Sequence, residues 1–418
     1  MSMGRPSWWM GGTSCKRKNR ESNALRGVIQ MTPAARLQAA IEILDRILAG
    51  APVEQALTNW GRGNRFAGAG DRYALRDLVF DALRCQRSFA SLGGGLTGRG
   101  LVLGGVRARG LEEAALFTGI GHAPAPVTDE MCRVPVGDEA LDVPDWLAAA
   151  LRESLGAQYG AVMAAMRLRA PVYLRVNTAR VTVAEVAVAL AAEGIAAHSV
   201  SWVNTALEVT DNERKLQRTD VFLSGLFELQ DASSQAVIAS LDLGPGTRVL
   251  DYCAGGGGKT LAMAARGAQV DAHDIHAHRM TDLPRRAARA GAEVRIVQDP
   301  AISGPYDVIL TDAPCSGSGS WRRDPAGKWS LTADRLADLV RVQAGILDRC
   351  RAWLRPGGVL AYATCSLLNA ENEAQIEGFL IRHAGWHLLR AHKFSPLQGG
   401  DGFFVALLTQ DPDNFPQL

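Results

Sequence analysis

Two short segments carry thiols where a nucleophile could work: Asp312-Ala313-Pro314-Cys315-Ser316-Gly317 and Ala363-Thr364-Cys365-Ser366. Each closes an apolar run that reads as a β-strand, Tyr306–Asp312 and Gly358–Thr364. Ligands of open α/β sheets bind beyond the carboxyl ends of the strands, so both thiols point toward one pocket. A thiolate is a strong nucleophile, and Asp312, just before Cys315, could serve as an acid beside it. To donate a proton, Asp312 would need its pKa raised by burial or by contacts with a bound cofactor. Residue types alone leave the two thiols unranked. A lone cysteine is ordinarily a small buried hydrophobe; two at neighbouring strand ends argue for chemistry. Cys85, Cys132 and Cys350 lack that setting and read as structural, while Cys15 lies in an N-terminal tail.

Another strand, Arg248–Cys253, runs into Cys253-Ala254-Gly255-Gly256-Gly257-Gly258-Lys259-Thr260. Glycines at a strand-to-helix turn let a ligand approach the backbone, and the helix that follows offers free N–H donors. A Walker A loop would need glycine at position 253, which is Cys253, and a dinucleotide fingerprint starting at Gly255 would need glycine at Thr260. What remains is the cofactor loop of a methyltransferase-type fold, Cys253, Ala254, Gly255, Gly256, Gly257, Gly258 and Lys259. The next strand, Gln269–Ile275, carries Asp274 near its end, about 20 positions past the loop, where an acid commonly bonds ribose hydroxyls. Asp299 ends the strand Glu293–Asp299 and could accept a hydrogen bond from an adenine amino group.

The elements that must position these groups follow from the rest of the chain. Its 418 residues suit two or three domains. Hydrophobic residues at 47% and charged residues at 21% describe an ordinary globular protein, and a net charge of +2 permits nucleic-acid binding without demanding it. Seven irregularly spaced cysteines with no Cys-x-x-Cys pair exclude a disulfide framework and argue against a zinc site, so no metal is expected and the thiols read as reduced and cytoplasmic. No apolar stretch could span a bilayer, and the basic cluster Lys16, Arg17, Lys18, Arg20 leads into polar sequence, unlike a secretory signal.

Residues 1–31 read as a tail, with Met31 an alternative start, and 32–125 as a helical domain. In that domain Leu37, Ile41, Leu44 and Leu48 recur at helical spacing. A later helix opens at Asp71 as N-cap and puts Leu75, Leu78, Val79 and Ala82 on one face. Arg72, Arg76, Arg84 and Arg87 fall on another, either solvated or in contact with phosphate. The glycine-rich stretch from Gly93 to Gly105 is expected to interrupt the helices. A proline-marked linker spans 126–145, a small α+β subdomain 146–235, and a doubly wound, mostly parallel sheet 236–410, ending in a strand near Phe403–Thr409 and a tail at 411–418.

At these motifs the chain resembles the RNA 5-methylcytosine methyltransferases of the bacterial Sun/RsmB type, over residues 32–410. The resemblance rests on Pro171–Thr178 (PVYLRVNT), on Gln230-Asp231-Ala232-Ser233-Ser234-Gln235, on both cysteine motifs, and on Trp321-Arg322-Arg323-Asp324-Pro325 with Lys328-Trp329. It implies a class I methyltransferase domain with a Rossmann-like seven-stranded sheet, preceded by an all-α NusB-like RNA-binding domain and a small RNA-binding α+β subdomain. It also implies S-adenosyl-L-methionine in the loop from Cys253 to Lys259, with Asp274, Asp299 and Asp312 completing the site. The substrate would be RNA, specifically small-subunit (16S) ribosomal RNA, and the enzyme a monomer. Cys365 would be the nucleophile, with Cys315 assisting product release.

Cytosine carbon 5 is a poor nucleophile until a thiolate adds to carbon 6 and makes an enamine, which is why such an enzyme needs a thiol. DNA cytosine methyltransferases, which use the proline–cysteine thiol, are an alternative; a ribosome-assembly factor that binds RNA through a weakened site is another. One departure stands out: the family loop commonly reads Cys-Ala-Ala-Pro-Gly-Gly-Lys, whereas positions 255 and 256 here are both glycine. Each glycine adds an ordering cost of about 0.5–1 kcal/mol relative to alanine.

Overall fold

The computed structural model describes residues 30–128 and 130–414; the expected tail over 1–31 therefore lies almost wholly outside the described residues, as does the end of the one at 411–418. Among the described residues, no helix is long and apolar enough to cross a membrane.

The N-terminal domain is all helical. Helix α1 (Pro33–Leu48) opens with Thr32, whose side chain accepts from the Ala35 N–H, and with Pro33, whose φ is already helical. It buries Leu37, Ile41 and Leu44, as their spacing predicts. Helices α2 (Val53–Gly63), α3 (Ala69–Arg84), α4 (Gln86–Gly93) and α5 (Gly98–Ala108) complete a common core around Leu75, Val79, Leu83, Phe89 and Leu101.

Three expectations change here. Helix α3 starts before Asp71: Gly68 is the N-cap, and Asp71 is a buried residue of the first turn that accepts from the Gly68 N–H. Its carboxylate also takes a two-pronged bond from Arg36 at 3.0 and 2.8 Å, a partner 35 residues away. The arginine row is engaged within the protein. Arg72 donates to the carbonyls of Ala67 and Gly61, Arg76 pairs with Glu54, Arg84 with Asp81, and Arg87 with Asp145. Finally, the glycine-rich stretch breaks the helices only over residues 94–97; Gly93 ends α4, and the stretch from Gly98 on is α5. Glycine there serves close packing: a Cβ on Gly104 would lie 1.9 Å from the Phe89 carbonyl oxygen, and one on Gly93 would lie 1.8 Å from that of Gly100.

The small α+β unit is an antiparallel sheet of β1 (Val172–Val176), β2 (Ala196–Val200), β3 (Val203–Asp211) and β4 (Phe227–Leu229), in the order β2-β3-β1-β4. Its helix, Val183–Ala192, is opened by a reciprocal cap between Thr182 and Glu185. The two helices before β1, Asp145–Leu155 and Tyr159–Met166, pack instead on Trp321, Leu331 and Leu367 of the following domain.

That domain holds β5 (Arg248–Asp251), β6 (Gln269–Ala272), β7 (Val294–Ile296), β8 (Tyr306–Asp312), β9 (Leu354–Thr364), β10 (His387–Phe394) and β11 (Phe403–Thr409). The order is β10-β11-β9-β8-β5-β6-β7, with β5 to β9 parallel and the β10–β11 hairpin antiparallel. Strands β5, β6 and β7 stop short of their expected ends, so the glycine loop, Asp274 and Asp299 all lie in the turns beyond them. The sequence pattern missed β10, an edge strand that is mostly exposed and carries His387, Arg390, His392 and Lys393. Strand order reverses between β5 and β8, and a crevice opens at such a switch point. Gly104→Ala should destabilise the helical domain by about 1–3 kcal/mol through overpacking, seen as a lowered urea midpoint. Gly63→Ala, whose Cβ would meet nothing within 4 Å, should be neutral or slightly stabilising in the same measurement.

Candidate active site

The glycine loop leaves β5 at Asp251, which is wholly buried and accepts from the Thr260 hydroxyl at 2.7 Å. Burial pushes its pKa up to about 7, and its other oxygen has no partner. Gly255 (φ +52°) and Gly257 (φ +79°) both turn in the left-handed region that favours glycine. A Cβ on Gly257 would also strike Leu283 at 2.3 Å. Asp274, buried just past β6, holds the loop by accepting the Gly255 N–H at 2.9 Å. It also accepts from the His276 N–H and from Arg279. Burial pushes the Cys253 thiol pKa well up. Asp299 lies beyond β7, exposed, and caps the short helix Pro300–Ser303 by accepting from the Ala301 N–H.

The thiols meet because β8 and β9 run side by side in parallel with Asp312 opposite Ala363. Their Sγ atoms are 3.4 Å apart. The environment separates two groups that residue type could not. The two sulfurs share a hydrogen bond in which either can donate, and that contact, desolvation and the Cys365 and Glu371 charges raise the Cys315 pKa well above the ordinary thiol value. The same hydrogen bond, helped by Lys259 and the Ser320 hydroxyl, lowers that of Cys365 against burial and the charge of Asp312. Both directions favour the thiolate at Cys365.

Asp312 was expected as an acid available to the substrate. In the structure it is half of an ion pair, accepting from the Lys259 ammonium at 2.7 Å. Burial alone would lower the Lys259 pKa, but the Asp312 carboxylate outweighs it and the net shift is upward. Sequence reading placed Lys259 in the loop without finding this partner, 53 residues away. It also missed Arg279, whose only sequence signal is a basic side chain about one turn after Asp274, and Ser320, which has none.

The Trp321–Trp329 segment proves to be a joint between domains. Arg322 is buried, donating to Asp401 and to the carbonyls of Gly399 and Gly400. Arg323 bridges Asp401 and Asp231 and donates to the Pro171 carbonyl, so it ties in the small domain. Lys328 and Trp329 donate to the carbonyls of Arg84 and Leu83, the otherwise unsatisfied end of α3, while Arg84 returns a bond to the Arg322 carbonyl. Burial pushes the Lys328 pKa down to about 8.

Comparison with known proteins agrees with this architecture. Residues 238–411 match the family described as 16S rRNA methyltransferase RsmB/F, and residues 143–214 match its ferredoxin-like domain. A ribosomal RNA small subunit methyltransferase B from Xylella fastidiosa is 34% identical over 300 residues, which cover 67% of this chain and 69% of that protein. The chain belongs to the RsmB/F family. A further relative of the same name, from Xanthomonas campestris, is 36% identical over 288 residues, 63% of this chain and 66% of its own length. The crystal structure of PH0851 shares the fold over 91% of this chain and 99% of that one, with a TM-score of 0.73 at 23% identity. That of NSun6 from Pyrococcus horikoshii with SFG shares it over 64% of this chain and 98% of that one, with a TM-score of 0.57 at 19% identity.

RsmB/F enzymes use S-adenosylmethionine, and the crevice fits it: a loop whose turns exclude side chains, a buried carboxylate oxygen without a partner, and acids just past β6 and at the end of β8. Of the two glycines that depart from the usual RsmB/F loop, only Gly255 has a positive φ. Gly256→Ala would meet only the end of the Arg286 side chain, 3.2 Å from its Cβ. It should tighten S-adenosylmethionine binding by about 2–5-fold through loop ordering, whereas Gly255→Ala should weaken it; calorimetric titration checks both. Lys259→Met should raise the pH at which Cys365 is half-alkylated by roughly one unit, and Asp312→Asn should lower it, as followed by mass-mapped iodoacetamide labelling.

Proposed function

We propose that this chain methylates carbon 5 of a cytosine in RNA, with 16S ribosomal RNA as the substrate that family membership favours. Cys365 is the attacking nucleophile and Cys315 the group that releases the product. The observation that carries this reading is the pair of sulfurs 3.4 Å apart, just past the ends of two adjacent parallel strands whose last residues include Asp312, the partner of Lys259 in the glycine loop. The six thiols among the described residues are unpaired, which suits a cytoplasmic enzyme, and we take it to act as a monomer.

S-adenosylmethionine, when bound, supplies an electrophilic methyl group. The loop from Cys253 to Lys259, Asp274 and Asp312 would hold it, with Asp299 at the adenine end. The Cys365 thiolate adds to carbon 6 of the ring, forming a C–S bond and moving an electron pair toward carbon 5. The ring nitrogen takes up the Cys315 proton through the neighbouring Asp312–Lys259 pair, which also stabilises the adduct. Cys315, now a thiolate, removes the proton from carbon 5 once the methyl group is in place. Elimination then breaks the C–S bond and restores the Cys365 thiolate, and the ring-nitrogen proton leaves to solvent. One proton is released per methyl group transferred.

Cys365→Ala should abolish methyl transfer, and Cys315→Ala should leave RNA attached to the protein as an adduct that survives a denaturing gel. An adduct in Cys365→Ala with none in Cys315→Ala would reverse the assignment and favour the proline–cysteine chemistry. RNA binding by wild-type protein without methylation would favour an assembly factor. Bisulfite sequencing of cellular RNA with and without the gene identifies the modified cytosine.

A further inference from the structure

Glu371, in the turn Asn369–Glu371 after β9, is wholly buried and belongs to neither cysteine motif. Its Oε1 accepts the Ser316 N–H at 2.8 Å and the Gln343 side-chain amide at 3.0 Å. Its Oε2 accepts the hydroxyls of both Ser316 and Ser366. Ser316 directly follows Cys315, and Ser366 directly follows Cys365. Four donors converge on one side chain and nothing accepts from it, which suits an ionised carboxylate. The turn itself is pinned: the Tyr362 hydroxyl donates to the Glu371 carbonyl at 2.6 Å, and the Asn372 amide donates to the Ser366 carbonyl at 2.9 Å.

The geometry points to Glu371 as the positioning residue of the thiol pair: it clips the two cysteine-bearing loops together and sets its carboxylate on the residue next to Cys315. The inference rests on the reading of Cys365 as nucleophile. Charges flank the pair asymmetrically. Cys315 is faced by Cys365 and by the Glu371 carboxylate, with Tyr362 beside it on β9, and Glu371 contributes to holding its proton. Cys365 is faced by Asp312, Lys259 and the Ser320 hydroxyl, and Lys259 favours its thiolate. A negative charge at one sulfur and a positive charge at the other bias the shared proton in one direction, and burial makes that bias strong.

Limited iodoacetamide labelling with peptide mapping reads the proton's location without relying on turnover. Wild-type protein should label Cys365 at least ~10-fold faster than Cys315, because the thiolate is the reactive form. Glu371→Gln should bring the two rates close together and reduce kcat by on the order of 10²-fold, leaving KM for S-adenosylmethionine and RNA little changed. Glu371→Asp, which keeps the charge but shortens the reach, should retain the Cys365 preference while kcat falls. Should Glu371→Gln fail to fold, judged by melting and S-adenosylmethionine binding, Ser366→Ala removes one arm of the clip with the charge intact. It should then behave like Glu371→Asp, and wild-type kcat in it would sink the clip. Labelling of Glu371→Gln as selective as wild type, with kcat unchanged, overturns the inference. Failure of the underlying reading shows elsewhere, as the absence of a trapped adduct in Cys315→Ala with Glu371 intact.

Discussion

The pairing of β8 with β9 sets how closely two sulfurs 50 residues apart can approach. Beyond the last paired residues the two chains stay together, because the Gly319 N–H donates to the Cys365 carbonyl and the Gly402 N–H donates to that of Gly319. There is no slack in this arrangement: a Cβ on Gly319 would lie 2.0 Å from the Gly402 carbonyl oxygen. The loop that presents Cys315 is therefore held between its neighbours rather than resting on them, and the sulfur separation is a property of the sheet.

Burying Lys259 and Glu371 would be costly if either were left alone. Each is engaged: Lys259 with Asp312, and Glu371 with two hydroxyls, an amide and a backbone N–H. Asp251 is the exception, with one oxygen unpaired in the floor of the cofactor loop. Pairing of this kind adds little to stability on balance, since the Coulombic gain is set against desolvation. Its effect here is directional, distinguishing two chemically identical side chains.

Much of this was legible beforehand. Apolar runs ending in Asp312-Ala313-Pro314-Cys315 and Ala363-Thr364-Cys365, with a glycine turn after β5, place the site at the carboxyl edge of a parallel sheet, and the structure puts it there. What could not be read depends on partners distant in the chain. The groups that bear on the two thiols differently, Lys259, Asp312, Ser320 and Glu371, lie on separate turns. The row from Arg72 to Arg87 has the spacing of a binding face, but Glu54, Asp81 and Asp145 take up its charges. Glycine is ambiguous in the same way: Gly93 and Gly104 look like breaks until a second helix is known to need the space. The edge strand β10 escaped because an exposed strand has no reason to alternate.

The joint between α3 and the methyltransferase domain has a consequence for how these proteins diverge. Lys328 and Trp329 grip the carbonyls of Arg84 and Leu83, and Arg84 reaches back to a carbonyl in turn. Carbonyl groups are common to every residue, so much of this attachment does not read the identity of the helix it holds. Substitutions can accumulate on the helical side without loosening its hold, while the gripping side must keep its donors. The two segments that match the family, 143–214 and 238–411, both lie on the gripping side. A domain attached through its backbone is free to change its surface while the attachment stays the same.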